Sequence, residues 1–128
     1  MKTILTGLLI GLLGLNLMSC RQLREYRQII DAIDIEAVDL NQVADGDYTA
    51  ECDAILVRAR VLVKVRQQRI ESIDLIEYKH GRGDAAHVLP ERVVQAQSLR
   101  VDAISGATNS SKVILEAIEL ALKQGLIR

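Results

Sequence analysis

A run of small and hydroxyl-bearing residues lies directly before the last amphipathic segment of this 128-residue chain. The run is Ser105-Gly106-Ala107-Thr108-Asn109-Ser110-Ser111, and the apolar pattern after it predicts a helix from about Ser110 to Gln124. The start of a helix has unpaired N–H groups and the positive end of the helix dipole, so it attracts phosphate. Small residues let a ligand come close to the backbone. The segment therefore has the chemistry of a phosphate site.

Ordinary helix capping is the alternative explanation of the same residues. Ser, Thr and Asn are among the commonest residues at the N-cap of a helix. Physical chemistry alone leaves both explanations open. Two familiar motifs are excluded, since a P-loop ends in Gly-Lys-Ser/Thr and a nucleophile elbow needs Gly-x-Ser-x-Gly.

The strands that must position this segment follow from alternating hydrophobicity. Strands are predicted at Tyr48–Cys52, at Ile55–Arg66 and at Arg69–Tyr78. Gln67-Gln68 joins the last two strands. Because tight hairpin turns need positive φ and prefer Asn-Gly or Asp-Gly, we expect a longer or irregular connection there.

Helices are predicted before and after the strands along the sequence. They are an amphipathic helix at Arg21–Ile33, a short helix around Pro90 that ends near Leu99, and the final helix, which Gly125 ends. The polar, Gly-rich segment Lys79–His87 is predicted to be a loop. This order indicates a small single α+β domain, an antiparallel sheet with helices packed on one face.

The first twenty residues, MKTILTGLLIGLLGLNLMSC, have the layout of an export signal, with an early Lys and an uncharged apolar stretch. The end of this stretch resembles the lipobox of bacterial lipoproteins, which implies cleavage before Cys20 and attachment of acyl chains such as palmitate to its sulfur. The alternative is an uncleaved, slightly short anchor helix. Both place the remaining chain at a membrane, on its extracytoplasmic side.

Composition excludes several other classes of function. The formal net charge is −1, and it becomes −2 when Lys2 is removed with residues 1–19, which gives no argument for binding nucleic acid. Once Cys20 carries lipid, Cys52 has no disulfide partner in the chain and is expected to be a small buried residue. One free Cys and two His do not have the spacing of metal ligands, so we expect no metal site.

The segment Asp102-Ala103-Ile104-Ser105-Gly106-Ala107-Thr108 resembles the flavinylation motif Asp-x-x-Ser-Gly-Ala-Thr of FMN-binding domain proteins. That family includes FMN-carrying subunits of sodium-pumping and related electron-transport complexes. The resemblance extends from about Ala44 to Gly125, because DGDYTAE at residues 45–51 is similar to the family's opening segment. Ala50 and Gln67-Gln68 depart from the family pattern, in which Gly and a tight Asp/Asn-Gly turn are usual.

The resemblance implies a covalent cofactor. In the family, a flavin transferase uses FAD and Mg²⁺ to join FMN through its phosphate to a Thr hydroxyl, which corresponds to Thr108. The transferase would recognise Asp102, Ser105, Gly106 and Ala107, and the phosphate would accept hydrogen bonds from Ser110 and Ser111. His80 or Arg82 would lie near the flavin ring and stabilise its reduced form.

The function that follows is that of a lipid-anchored flavoprotein, with residues 1–19 as signal peptide, 20–44 as anchored helix and linker, and 45–128 as FMN-binding domain. It would relay electrons between a membrane redox protein, such as a quinone-linked complex, and an extracytoplasmic acceptor. No catalytic residue is predicted, so it is more a carrier or subunit than a stand-alone enzyme. The alternatives are a lipoprotein that binds FMN reversibly or acts in assembly, and one in which the motif is purely structural.

Overall fold

Alternating valines form the centre of the sheet, as their spacing predicts. The computed structural model describes residues 19–127, which form three strands in the antiparallel order β1-β2-β3. The strands are Gly46–Asp53 (β1), Arg58–Arg66 (β2) and Arg69–Lys79 (β3). Val61, Val63 and Val65 of β2 have no exposed surface and form the middle of the core. The opposite face of β2 carries Arg and Lys side chains toward solvent.

Helices cover one face of this sheet, which confirms the α+β fold. The helical segments are residues 19–32 (α1), Leu89–Ala96 (α2) and Thr108–Gln124 (α3), with 3₁₀ turns at Leu40–Gln42 and Asp84–Val88. Helix α3 packs on β1 and β2, and α2 packs on β3. The predicted apolar stripe of α3 is fully buried: Val113, Ile114, Ala117, Ile118, Ala121 and Leu122.

The N-terminal segment is partly described. The predicted signal peptide falls on residues 1–18, outside the described part of the chain, apart from Ser19. Ile30 of α1 is 3% exposed and anchors the helix in the core, whereas Leu23 near the start of the helix is 40% exposed. Within residues 19–127, no helix has the length and apolar character required to cross a membrane.

A buried carboxylate fixes the linker after α1. Glu119 of α3 is 3% exposed, and it accepts a hydrogen bond from the backbone N–H of Glu36 at 3.1 Å. Lys123, one turn further along α3, pairs with Glu119 at 2.6 Å. The charge of Glu119 is therefore both paired and hydrogen-bonded, as a buried charge must be.

The single thiol of the sheet is a core residue, as expected from the sequence. Cys52 lies in β1 and is 8% exposed. Burial, reinforced by the charge of Glu116, raises the pKa of the Cys52 thiol to about 11. The side chain therefore stays protonated and unreactive at neutral pH.

Two element boundaries differ from the prediction because of local hydrogen bonds. Strand β2 begins at Arg58 and not at Ile55, since Ile55 has a φ of 69° and donates its N–H to Asp53 Oδ1 at 2.9 Å. Helix α2 ends at Ala96 and not near Leu99, since Gln97 has a φ of 52°. The side-chain amide of Gln97 forms hydrogen bonds with both the N–H and the C=O of Ile70 in β3.

The predicted long connection between β2 and β3 is wrong. Gln67 and Gln68 form a two-residue turn with φ values of 53° and 61°, the left-handed conformation of a type I′ hairpin. Two contacts compensate for the strain: Asp45 Oδ1 accepts the Gln67 N–H at 2.8 Å, and Arg66 donates to Gly46 O at 3.0 Å. The strand register thus overrides the turn preference of glutamine.

Replacing this turn with the residues that prefer its geometry should stabilise the domain. We expect Gln67→Asn combined with Gln68→Gly to raise the free energy of unfolding by about 1 kcal/mol, because left-handed non-glycine residues cost about that much each. Urea denaturation measures the change. Gln97→Gly is the contrasting variant, since it relieves similar strain but loses the bonds to Ile70, and it should destabilise. No gain from the double variant would contradict the turn assignment.

Candidate functional site

A cavity of about 730 Å³ opens at one end of the sheet, beside the first turn of α3. Four segments line it: α1, the β1–β2 loop, the loop after β3 and the start of α3. Its lining residues are Tyr26, Leu56, Val57, Lys79, His80, Gly81, Arg82, Gly83, Gly106, Ala107, Thr108, Asn109 and Ser110. The volume is in the range of small-molecule and cofactor sites.

The start of α3 is open toward this cavity. Gly106 has a φ of 80°, which completes a turn closed by a 2.9 Å hydrogen bond from Ala107 N to Ile104 O. The N-cap is Ala107, and within the part of the chain that the structure describes, no side chain caps the helix. The N–H groups of Thr108, Asn109 and Ser110 form the first turn, where helices lack internal acceptors. The capping explanation of these residues therefore does not hold for this helix.

Ser111 holds this turn in place from behind. Its side chain is fully buried; the hydroxyl donates to Ala107 O at 2.8 Å, and its oxygen accepts the N–H of Ile104 at 3.0 Å. The hydroxyl hydrogen is thus already committed to the backbone. Ser111 does not line the cavity, whereas Ser110 does.

Of the remaining residues of the motif, some line the cavity and others do not. Gly106, Ala107 and Thr108 line the cavity, together with His80 from the loop after β3. Asp102 and Ser105 are exposed and lie outside the cavity lining. Thr108 itself is exposed, so its hydroxyl can be reached from solvent.

The loop after β3 is fastened to the start of α3 by Tyr78. The Tyr78 hydroxyl donates a hydrogen bond to Gly83 O. Burial raises the pKa of this hydroxyl; a hydrogen bond with Ser110 opposes the rise, and the charges of Asp84 and Tyr26 add to it. The phenol is therefore neutral at physiological pH and serves as a structural donor.

His80 lines the cavity and is packed against its own loop. Its ring packs against Tyr78 with centroids 4.6 Å apart, and its Nε2 lies 3.7 Å from Asp84 Oδ1. Its Nδ1 is buried and has no hydrogen-bond partner among the described residues.

Sequence reasoning missed the lining residues Tyr26, Leu56, Val57 and Lys79. Leu56 lies in an apolar run that predicts a strand, and only the left-handed Ile55 places it in a loop. Tyr26 belongs to a helix whose apolar face is typical of core packing. Among residues 19–127, no group of three or more His, Cys, Asp or Glu side chains could hold a metal ion.

The model of the FMN-binding domain family matches residues 58–123. That match spans half of the chain, and it includes both the loop after β3 and the start of α3. The chain belongs to the FMN-binding domain family. No curated protein matches the chain.

The cavity of this FMN-binding domain fits the two halves of the cofactor. An open helix start with Gly106 at the turn suits a phosphate, since backbone N–H groups and the dipole both favour an anion. Lys79 and Arg82 add positive charge at the same cavity. The apolar Leu56 and Val57 suit a planar ring, and His80 lines the same cavity.

The space around Gly83 provides a test of this geometry. We expect Gly83→Ala to lower the free energy of unfolding by about 1–3 kcal/mol, because a Cβ there would overlap Ser110 and the Tyr78 hydroxyl. Near-UV circular dichroism of the tyrosines should change with it. Gly81→Ala, in the same loop, is the matched control, since its Cβ would meet no described atom within 4 Å. Equal stability of the two variants would contradict the contact.

Proposed function

We propose that this protein carries FMN esterified through its phosphate to Thr108. The observation that carries the proposal is the uncapped start of α3, which presents an exposed Thr108 hydroxyl beside three N–H groups at a cavity of cofactor size. The match to the FMN-binding domain family and the motif at residues 102–108 support the same cofactor.

The residues of the chain would share the work of holding the cofactor. The N–H groups of Thr108, Asn109 and Ser110 would bind the phosphate oxygens, and Gly106 would leave room for them. Ser111, with its hydroxyl committed to Ala107 O and Ile104 N, would keep the turn open rather than donate to the phosphate. Bound FMN supplies electron transfer in single or paired steps.

The covalent bond requires a flavin transferase as partner. In the reaction with FAD, the Thr108 oxygen bonds to the phosphorus of the FMN half, the bond between the two phosphates breaks, AMP leaves, and the hydroxyl proton passes to a base of the transferase, with Mg²⁺ neutralising the phosphates. Asp102 and Ser105 are exposed beside the cavity and would be read by this enzyme. A covalent bond also keeps the cofactor on a protein that works outside the cytoplasm.

We place the protein at the extracytoplasmic face of a membrane, attached through lipid on Cys20. Cys20 is exposed at the start of the described chain, as lipid attachment requires. Several acyl chains on one residue give stable attachment, since each buried CH₂ contributes about 0.8 kcal/mol. The protein would then relay electrons between a membrane redox protein and an extracytoplasmic acceptor. Such a carrier needs an accessible cofactor and a docking surface, and no catalytic acid.

The attachment site predicts a simple result after denaturing electrophoresis. Wild-type protein exported with a flavin transferase should give a fluorescent flavin band, because only a covalent bond survives denaturation. Thr108→Ala should give none, and Thr108→Ser should retain some, since it keeps a hydroxyl. Intact mass checks each sample. A fluorescent Thr108→Ala band would contradict the site, and loss of flavin from the wild type on denaturation would favour reversible binding.

His80 and Arg82 line the cavity, and if they lie near the ring their removal should change the redox potential. We expect His80→Ala and Arg82→Ala to lower the flavin midpoint potential, because a donor or positive charge near the ring favours the reduced cofactor. Spectroelectrochemical titration of the flavinylated protein measures it. His87→Ala is the control, since His87 bonds to Asp84 O and does not line the cavity. Unchanged potentials in both cavity variants would exclude a role at the ring.

A further inference from the structure

The wall of the cavity contributed by α1 lies outside the family match. The match begins at residue 58, whereas Tyr26, Leu56 and Val57 precede it. The loop after β3 and the start of α3, which would hold the phosphate, belong to the matched domain. The N-terminal part of this chain therefore adds a side of its own to the site.

Tyr26 is held at the cavity by the packing of its helix. Ile30, one turn further along α1, is 3% exposed in the core, and residues four apart lie on the same face of a helix. Tyr26 is half-buried and packs against the same core. The packing of α1 on the core therefore places Tyr26 at the cavity.

A tyrosine ring is the natural partner for a flat aromatic ligand. Aromatic pairs stack with an offset or meet edge to face, and they gain energy beyond the area they bury. The chain has no Trp and no Phe, and its other tyrosines, Tyr48 and Tyr78, are not among the lining residues. Tyr26 is the tyrosine that can provide such a contact in this cavity.

We propose that Tyr26 packs against the isoalloxazine ring of FMN and fixes its orientation in the cavity. This inference rests on the proposed function, because it requires flavin at the site. It gives α1 a role beyond connecting the domain to its anchor. Cys20 and Tyr26 are six residues apart on α1, about 9 Å along the helix, so the contact also holds the ring close to the membrane surface.

Flavin fluorescence tests this contact directly, because a tyrosine in contact with the isoalloxazine ring quenches its emission by electron transfer. The full-length protein, flavinylated and purified in detergent, would be compared with Tyr26→Leu, Tyr26→Phe and Leu23→Ala. Leu23 is the matched control, since it is on the same helix, is 40% exposed and does not line the cavity. Fluorescence lifetime reports quenching, and anisotropy decay reports how freely the ring moves.

The two Tyr26 variants should separate quenching from packing. In Tyr26→Leu the lifetime should rise several-fold and a fast anisotropy decay should appear, because the ring loses both its quencher and its support. In Tyr26→Phe the lifetime should rise while the ring stays held, since phenylalanine packs equally well but donates electrons poorly. Leu23→Ala should match the wild type in both measurements.

The result that would overturn the proposal is a Tyr26→Leu protein, folded and fully flavinylated, with wild-type lifetime and anisotropy. That result would leave the attachment at Thr108 intact, so it is distinct from failure of the proposed function, in which the wild type carries no covalent flavin. If the wild type carries no covalent flavin, free FMN is titrated into the same proteins. Weaker binding and weaker quenching by Tyr26→Leu would support the contact, and equal binding or none would refute it.

Discussion

The hydroxyl of Ser111 holds together the turn on which the site depends. By accepting the N–H of Ile104 and donating to Ala107 O, it joins the 104–107 turn to the first turn of α3 from the buried side. The exposed side of the same turn is left without a capping side chain, which is uncommon for a helix start so rich in Ser, Thr and Asn. The helix N-terminus is therefore held by hydrogen bonds on its buried side and leaves its N–H groups available on its exposed side, as anion binding requires.

The rest of the fold provides walls for this opening. The alternating valines of β2 bury one face of the sheet, and α3 lies on that face. The start of α3 lies at the end of the sheet where β3 ends, since Lys79 and Thr108 line the same cavity. The loop after β3 is brought against α3 by Tyr78, which binds Gly83 O beside Ser110. Only a glycine fits at position 83, because a Cβ there would overlap Ser110. The loop after β3 and the start of α3 can therefore approach each other closely at the cavity. Helix α1, anchored by Ile30, closes another side.

Much of this arrangement could be predicted from the sequence, and the misses have physical causes. The strand pattern, the buried stripe of α3 and the α+β class follow from periodicity, because burial of one face imposes it. The turn at Gln67-Gln68 could not be predicted from residue preference, since cross-strand register and the Asp45 contact outweigh it. Within the site, the motif indicated Thr108 and its neighbours, but Tyr26 and Leu56 look like ordinary apolar residues. Their place at the cavity depends on tertiary packing and on the backbone of Ile55, neither of which has a local sequence signal.

The central claim is that one hydroxyl at the start of α3 accepts the phosphate of FMN. Trypsin cleaves after Arg100 and Lys112, so a single peptide of residues 101–112 contains Ser105, Thr108, Ser110 and Ser111 together. Tandem mass spectrometry of this peptide, from protein exported with a flavin transferase, locates the modification among the four. We expect the mass of FMN less one water on Thr108. FMN on one of the three serines, or an unmodified peptide from fully exported protein, would contradict it.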